Sequence, residues 1–368
     1  MKRIKFWTKI GGRYVVWMII ITMNRLLQKS SVPKPWVRVF VEPTSNCNLA
    51  CRFCSYPLEV RARETMSEDL FDRCMQGIQD LGVEQLWITP MTGDVFMDKD
   101  IETKLARAQG SSAKSISFYT NFVVPDEAVI KALKPIGKLR EIHISLYGAD
   151  EDAFVAMTRK PAKLFQRLVR NLEILNEELN DWSNHPMIYL ELREGQQFRL
   201  ETWRSPLAVA VDRLVRAGLA SLGVQHEYDT WGGQITPEHV EGLDISLVPG
   251  EALYQRGACF HVFRSPMVTS SGVVIACGCR GHDADLVLGE LTETPLKEIL
   301  SFENPRLQSV VSNMNAGKFP RTCRSCSMYR SVWDHRWSRG MDPHELTTLE
   351  DVLRPLKPDH TTSTAPAE

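Results

Sequence analysis

The chain reads as an α/β protein built on a parallel sheet, and three observations predict it. From Pro35 onward, short β-rich runs alternate with helical stretches, the order a parallel sheet needs because each crossover carries a helix. The length of 368 residues, with 43% hydrophobic and 24% charged, suits a barrel-sized domain plus a smaller one. The densest chemical motif, a cysteine-rich run, directly follows the first predicted strand.

Val37–Val41 is that first strand, rich in β-branched and aromatic residues. Ser67–Leu81 follows as a helix, with Ser67 as its cap. Gln85–Thr89, Ser115–Tyr119 and Glu141–Leu146 read as strands two to four. Helix Phe165–Leu179 precedes strand five, Met187–Leu192, and helix Leu207–Leu219 precedes strand six, Val224–Tyr228. The boundaries expected are residues 1–36 for an apolar and basic helical extension, 37–245 for the α/β domain, 246–335 for a small second domain and 336–368 for a partly disordered tail.

Cys47, Cys51 and Cys54 lie in the run Cys-Asn-Leu-Ala-Cys-Arg-Phe-Cys, which gathers three thiolates on one loop and offers no fourth ligand. A structural zinc site closes its tetrahedron with four ligands. An iron–sulfur cube with one open iron fits three thiolates better. A zinc loop or a group of unrelated thiols is the alternative.

At these residues the chain resembles the radical S-adenosylmethionine (SAM) enzymes, whose signature is Cys-x-x-x-Cys-x-aromatic-Cys; Thr44 precedes it here, and Phe53 is the aromatic. The resemblance implies a partial (β/α)6, TIM-like barrel and a [4Fe-4S] cluster whose open iron holds SAM. It further implies reductive cleavage of SAM to a 5′-deoxyadenosyl radical that takes hydrogen from a substrate. In the family the aromatic lies beside the adenine, a role Phe53 would inherit. Chemistry in such barrels sits at the carboxyl ends of the strands. Pro90-Met91-Thr92-Gly93-Asp94 occupies the place of the family's Gly-Gly-Glu-Pro loop, which binds the SAM ammonium, so Thr92, Gly93 and Asp94 are cofactor-binding candidates. Asn121 falls in a stretch similar to Thr-Asn-Gly, with Phe122 replacing the glycine. Ser145, before Leu146-Tyr147-Gly148, resembles the serine that approaches the ribose or carboxylate of SAM. Arg193 closes strand five and suits either the SAM carboxylate or an ion pair with Glu191 or Glu194. Arg159 reads as structural.

A second cysteine set lies toward the carboxyl end: Cys259, then Gly272 and Cys277, and later Cys323-Arg-Ser-Cys326. Gly272 fits a tight hairpin turn that returns Cys277 towards Cys259, and four thiolates can close a cube. The set is similar to the twitch/SPASM auxiliary-cluster domain of the family. No cysteine follows Cys326, so the single-cluster form, one auxiliary [4Fe-4S] cluster, is the better match, with spacing like that of an aminocyclitol-oxidising dehydrogenase of the family. A zinc ribbon is the alternative. Cys74 reads as a buried apolar residue in its helix. Cys279 has three readings: idle, an alternative ligand, or a thiol that returns hydrogen to a substrate radical.

The net charge of −1 gives no footprint for nucleic acid. Clustered cysteines and an oxygen-sensitive cluster point to a reducing, cytoplasmic setting. Tyr14–Met23 is strongly apolar behind Lys2, Arg3, Lys5, Lys9 and Arg13. It is too short to span a bilayer and lacks a small-residue cleavage site. Packing on the barrel is the favoured reading, and weak contact with a membrane surface is the other.

Tyr228–Gln234 is expected where barrel meets auxiliary domain. Trp231 offers a flat wall for a sugar, and Asp229 a general base for an alcohol proton. The expected function is oxidation or epimerisation of a small molecule such as a sugar or aminocyclitol, with a flavodoxin- or ferredoxin-like electron donor. Only 46 residues precede Cys47, too few for the winged-helix module of many peptide-modifying relatives. Radical modification of a peptide is the alternative, and a non-catalytic iron–sulfur or zinc protein the remote one.

Overall fold

A computed structural model describes residues 15–34, 36–248, 255–278 and 284–354. Tyr14, Cys279 and the tail beyond Leu356 lie outside the described residues. Six parallel strands follow one another in sequence order: Arg38–Val41, Gln85–Ile88, Ser115–Thr120, Leu139–Tyr147, Met187–Arg193 and Ala220–Gln225. They form an open partial barrel, since first and sixth strands do not pair. Val39, Val41, Leu86, Ile88, Phe118, Ile142 and Leu190 are wholly buried beneath helices that include Glu68–Leu81, Ile101–Gln109 and Lys163–Asn180. The alternate residues, including Phe40, Trp87, Tyr119, His143 and Glu191, take the other face, as the two-residue strand period requires.

Strand six corrects the sequence expectation. Gly218 at φ 72° ends the preceding helix at Arg216, so the strand starts at Ala220 rather than Val224. Glu227–Asp229 leaves the barrel sheet and pairs in parallel with Ser246–Val248.

The carboxyl-terminal part continues the same sheet. Met267–Val268 pairs in parallel with the first barrel strand, and Val273–Ile275 and Val287–Glu290 extend it antiparallel. Gly272 makes the hairpin turn at φ 87°, its amide donating to the Thr269 carbonyl at 2.9 Å.

The first helix, over residues 15–26, is held by hydrogen bonds to the carboxyl-terminal segment. Trp17 Nε1 donates to Asp334 at 3.0 Å and Asn24 Nδ2 to the Trp333 carbonyl at 2.9 Å, with Ile21 wholly buried between them along the helix. Val32–Pro33 pairs with Leu346–Thr347, tying the two ends of the described chain together. Among the described residues no helix is long and apolar enough to cross a membrane.

Candidate functional site

The cysteine loop leaves the first strand and is pinned from three sides. Ala50 and Arg52 donate their amides to the carbonyls of Thr158 and Met157, at the end of helix Glu151–Thr158. Arg159, in the left-handed region at φ 55°, caps that helix, the structural role expected of it. Asn121 Nδ2 donates to Asn48 Oδ1 at 2.8 Å, joining the loop to the end of strand three. The Asp94 amide donates to the Asn46 carbonyl at 2.8 Å, joining it to the loop after strand two. Gly93 makes that last approach possible: its φ is 144°, and a Cβ there would sit 2.8 Å from the Asn46 oxygen.

Cys47, Cys51 and Cys54 all line one cavity of about 260 Å³, together with Thr92, Gly93, Asn121 and Ser145. Its far wall holds Phe40, Tyr119, Tyr147, Trp231 and Met267. Seven of the predicted site residues therefore share one space. Burial, with the neighbouring Asp94 charge, pushes the Cys47 thiol up to about 12; burial raises Cys54 to about 11. Backbone amides of Leu49 and Tyr56 donate to Cys47 Sγ and Cys54 Sγ, each at 3.4 Å. Thiols of this kind are neutral alone and become thiolates when iron binds. Among the described residues no three cysteine, histidine or carboxylate side chains are drawn together around a single ion position.

Asp94 does not line the cavity. Its buried carboxylate accepts from the amides of Phe96 (3.0 Å) and Asn121 (2.6 Å) and from the Thr120 hydroxyl (2.9 Å). It thereby holds the ends of strands two and three in register, and burial raises its carboxyl to about 6. Thr92 Oγ1 donates to Glu59 at 2.8 Å. Phe122, which stands in place of the family pattern's glycine, adopts φ 57°, with its ring wholly buried 6.0 Å from that of Phe96. Phe53 packs between Tyr147 and Tyr228, with ring centroids 5.4 and 4.9 Å away, and does not line the cavity. Arg193 donates to Gln225 at 2.7 Å and lies 3.7 Å from Glu191, so its guanidinium belongs to the strand-five rim.

The segment after strand six does lie at the junction. Asp229 Oδ1 accepts from the Trp231 amide at 2.8 Å, and Trp231 Nε1 donates to the Phe53 carbonyl at 3.0 Å. A Cβ on Gly232 would meet the Thr322 carbonyl at 2.6 Å, beside Cys323. Asp229 thus shapes the turn that aims Trp231 into the cavity.

In the second cysteine set, the Cys326 amide donates to the Cys323 carbonyl at 3.2 Å, and Cys259 bridges to Ser331. Burial, with the neighbouring Cys326, pushes the Cys259 thiol up to about 12, against the pull of backbone hydrogen bonds and of the Arg330 charge. Cys277 follows the hairpin's second strand, and the next residue, Gly278, lines the cavity.

Two groups escaped the sequence reading. Glu42, wholly buried at the end of strand one, takes both arms of Arg61 at 2.7 Å, the Met91 amide at 3.2 Å, and the Ser270 amide and hydroxyl at 3.1 Å. It joins cysteine loop, strand-two loop and hairpin at one carboxylate. The other is a ladder across the inner face: Trp87 on Tyr119 (5.2 Å), Tyr119 on His143 (4.5 Å) and His143 on Tyr189 (4.6 Å). His143 lies between Glu191 (Nδ1, 3.1 Å) and Glu141 (Nε2, 3.3 Å). The period-2 pattern of strands three to five was the available signal for it.

A partial barrel with a cysteine loop at its strand ends defines an α/β enzyme with a cluster at the barrel mouth. Sequence comparison supplies the family: residues 41–195 match the radical SAM superfamily, and residues 259–327 match SPASM, an iron–sulfur cluster-binding domain. The chain belongs to the radical SAM superfamily, and its cofactors are a [4Fe-4S] cluster, SAM and an auxiliary cluster. No curated protein sequence matches it. Among solved structures, Streptococcus suis SuiB bound to precursor peptide SuiA is similar in fold, with TM-score 0.54 and 14% identity over 79% of this chain and 70% of that one. anSMEcpe with AdoMet and the Cp18Cys peptide gives TM-score 0.51 and 14% identity over 82% and 94%. BtrN with AdoMet and 2-DOIA gives 0.49 and 14% over 82% and 95%.

Proposed function

We propose that this radical SAM enzyme oxidises or epimerises a small hydroxyl-bearing molecule, such as a sugar or aminocyclitol, held on the inner face of the barrel. The ladder around His143 carries this reading. It lies on the same face as Ser145, one inward position deeper along strand four. Aromatic faces at Trp87, Tyr119 and Tyr189 suit the C–H face of a sugar ring, while Glu141 and Glu191 accept hydrogen bonds from hydroxyl or ammonium groups. Burial alone would raise the Glu191 carboxyl, but the His143 hydrogen bond and the Arg193 charge hold it below the ordinary range. It therefore stays an acceptor at neutral pH.

Cys47, Cys51 and Cys54 would hold the first cluster, with Thr92, Gly93, Asn121 and Ser145 around SAM. Cys259, Cys277, Cys323 and Cys326 would hold the auxiliary one. When bound, cluster and SAM supply the one-electron chemistry that removes a hydrogen atom from substrate. His143 sits where it can exchange a proton with a substrate hydroxyl, its ring fixed by two carboxylates. A flavodoxin- or ferredoxin-like donor fits a cleft of about 900 Å³ whose lining includes Arg256, Arg306, Lys318 and Arg324 with Asp285, a cationic surface for an acidic carrier.

Anaerobically reconstituted enzyme with SAM and dithionite tests this. A library of sugars and aminocyclitols should raise 5′-deoxyadenosine formation above its substrate-free level. His143→Ala should lower substrate-stimulated kcat/KM by about tenfold or more and leave the substrate-free rate in place. Stimulation by peptides alone, of the kind bound to SuiB and anSMEcpe, would overturn the reading.

A further inference from the structure

The first helix wears its apolar side outward. Val15, Ile19 and Leu26 form one edge of a stripe, and Val16, Ile20, Met23 and Leu27 form the other, each 48–73% exposed. At about 100° per residue these positions span an arc of roughly 140°. Trp17, Ile21 and Asn24, on the opposite arc, make the dock to residues 333 and 334. The stripe is thus not the helix's packing face. A helix needing only to dock would carry polar residues here.

Charge says what covers it. Nine lysines and arginines precede Glu42, the first acidic residue of the chain. Removing those nine from the 44 Lys and Arg leaves 35 against 45 Asp and Glu, so the remainder carries −10. One end is cationic and apolar, the rest anionic. An anionic bilayer surface attracts the first and repels the second, which fixes orientation as well as contact. A second copy on this face would bring two such cationic segments together, at a Coulombic cost.

We propose that the helix over residues 15–26 lies in the surface of an anionic bilayer, its stripe among the acyl chains and its Trp17–Asn24 face on the protein. The twelve described helical residues reach about 18 Å, short of the roughly 30 Å hydrocarbon core, a length that suits lying on the membrane. Arg25 in the last helical turn and Lys29 just beyond it, both exposed, extend the cationic surface.

The test is flotation of the reconstituted full chain with vesicles of phosphatidylcholine, alone or mixed with phosphatidylglycerol. The protein should float with the mixed vesicles, bind the neutral ones weakly, and be released by salt. The triple variant Ile19→Ser, Ile20→Ser, Met23→Ser should bind about tenfold more weakly or worse. Lys2→Gln, Arg3→Gln, Lys5→Gln should weaken binding by roughly fivefold per cation removed. Substrate-free SAM cleavage, unchanged in both, shows that the variants fold. No flotation with anionic vesicles at low salt would overturn the proposal. So would a wild-type dimer in analytical ultracentrifugation that the serine variant converts to monomer, since a second copy would then cover the stripe.

Discussion

Single buried carboxylates organise this site before any cofactor enters it. Glu42 gathers three backbone segments through one carboxyl, and Asp94 aligns two strand ends through another. Asp94 carries a consequence for pH. Its carboxyl titrates near 6 in the folded protein against an ordinary 3.8, because burial disfavours the charge more than its three donors favour it. Between those pH values the folded molecule keeps a proton that the unfolded chain has lost. Stability from this group therefore falls as pH rises from about 4 to about 6. Thermal unfolding of the cluster-free protein should show that fall, and Asp94→Asn should flatten it; an unchanged slope in the variant would assign the titration elsewhere.

At the scale of elements, the strand-two loop and the helix after it are held by an ion pair inside the protein. Lys104 Nζ lies 2.5 Å from Asp98 and 2.6 Å from the Met66 carbonyl, all but excluded from water. Lys104→Ala strands the Asp98 charge and should cost about 3–5 kcal/mol by urea unfolding. The double variant Lys104→Met, Asp98→Asn should recover most of that loss. The barrel strands and their helices were legible because hydrophobic period and caps agree, as at Ser67, whose hydroxyl accepts from the Leu70 amide. The end of the sixth repeat was misplaced because Gly218 breaks the helix while apolar residues continue past it. Cys47, Cys51, Cys54, Gly93, Asn121 and Ser145 were visible as motifs at strand ends. Glu42 and Arg61 were not, since a pair 19 residues apart becomes a pair only when the loop folds back. His143 was hidden differently: one histidine in a strand gains meaning only from the aromatic residues that the sheet register sets beside it.

For the whole molecule, the junction between barrel and auxiliary region depends on close approach. Helix Glu68–Leu81 meets helix Leu296–Ile299 at Gly77, where a Cβ would lie 2.4 Å from Leu296 Cβ. Gly77→Ala should cost about 1–3 kcal/mol through overpacking. Hydrogen exchange should locate the loss, with protection falling across residues 287–300 and holding in barrel strands three to five. Uniform loss of protection would mean that the two parts do not separate at this contact.

The shared sheet also has a history in time. Strand one, at Arg38–Val41, leaves the ribosome long before Met267–Val268, yet one of its edges pairs only with that later segment. At translation rates of about 5–20 residues per second, that edge waits on the order of ten seconds or more for its partner. During that wait it is an unpaired strand edge of the kind that recruits other chains. Truncation ahead of the hairpin would make the exposure permanent, so barrel-only fragments of this protein are expected to aggregate even with every barrel strand intact.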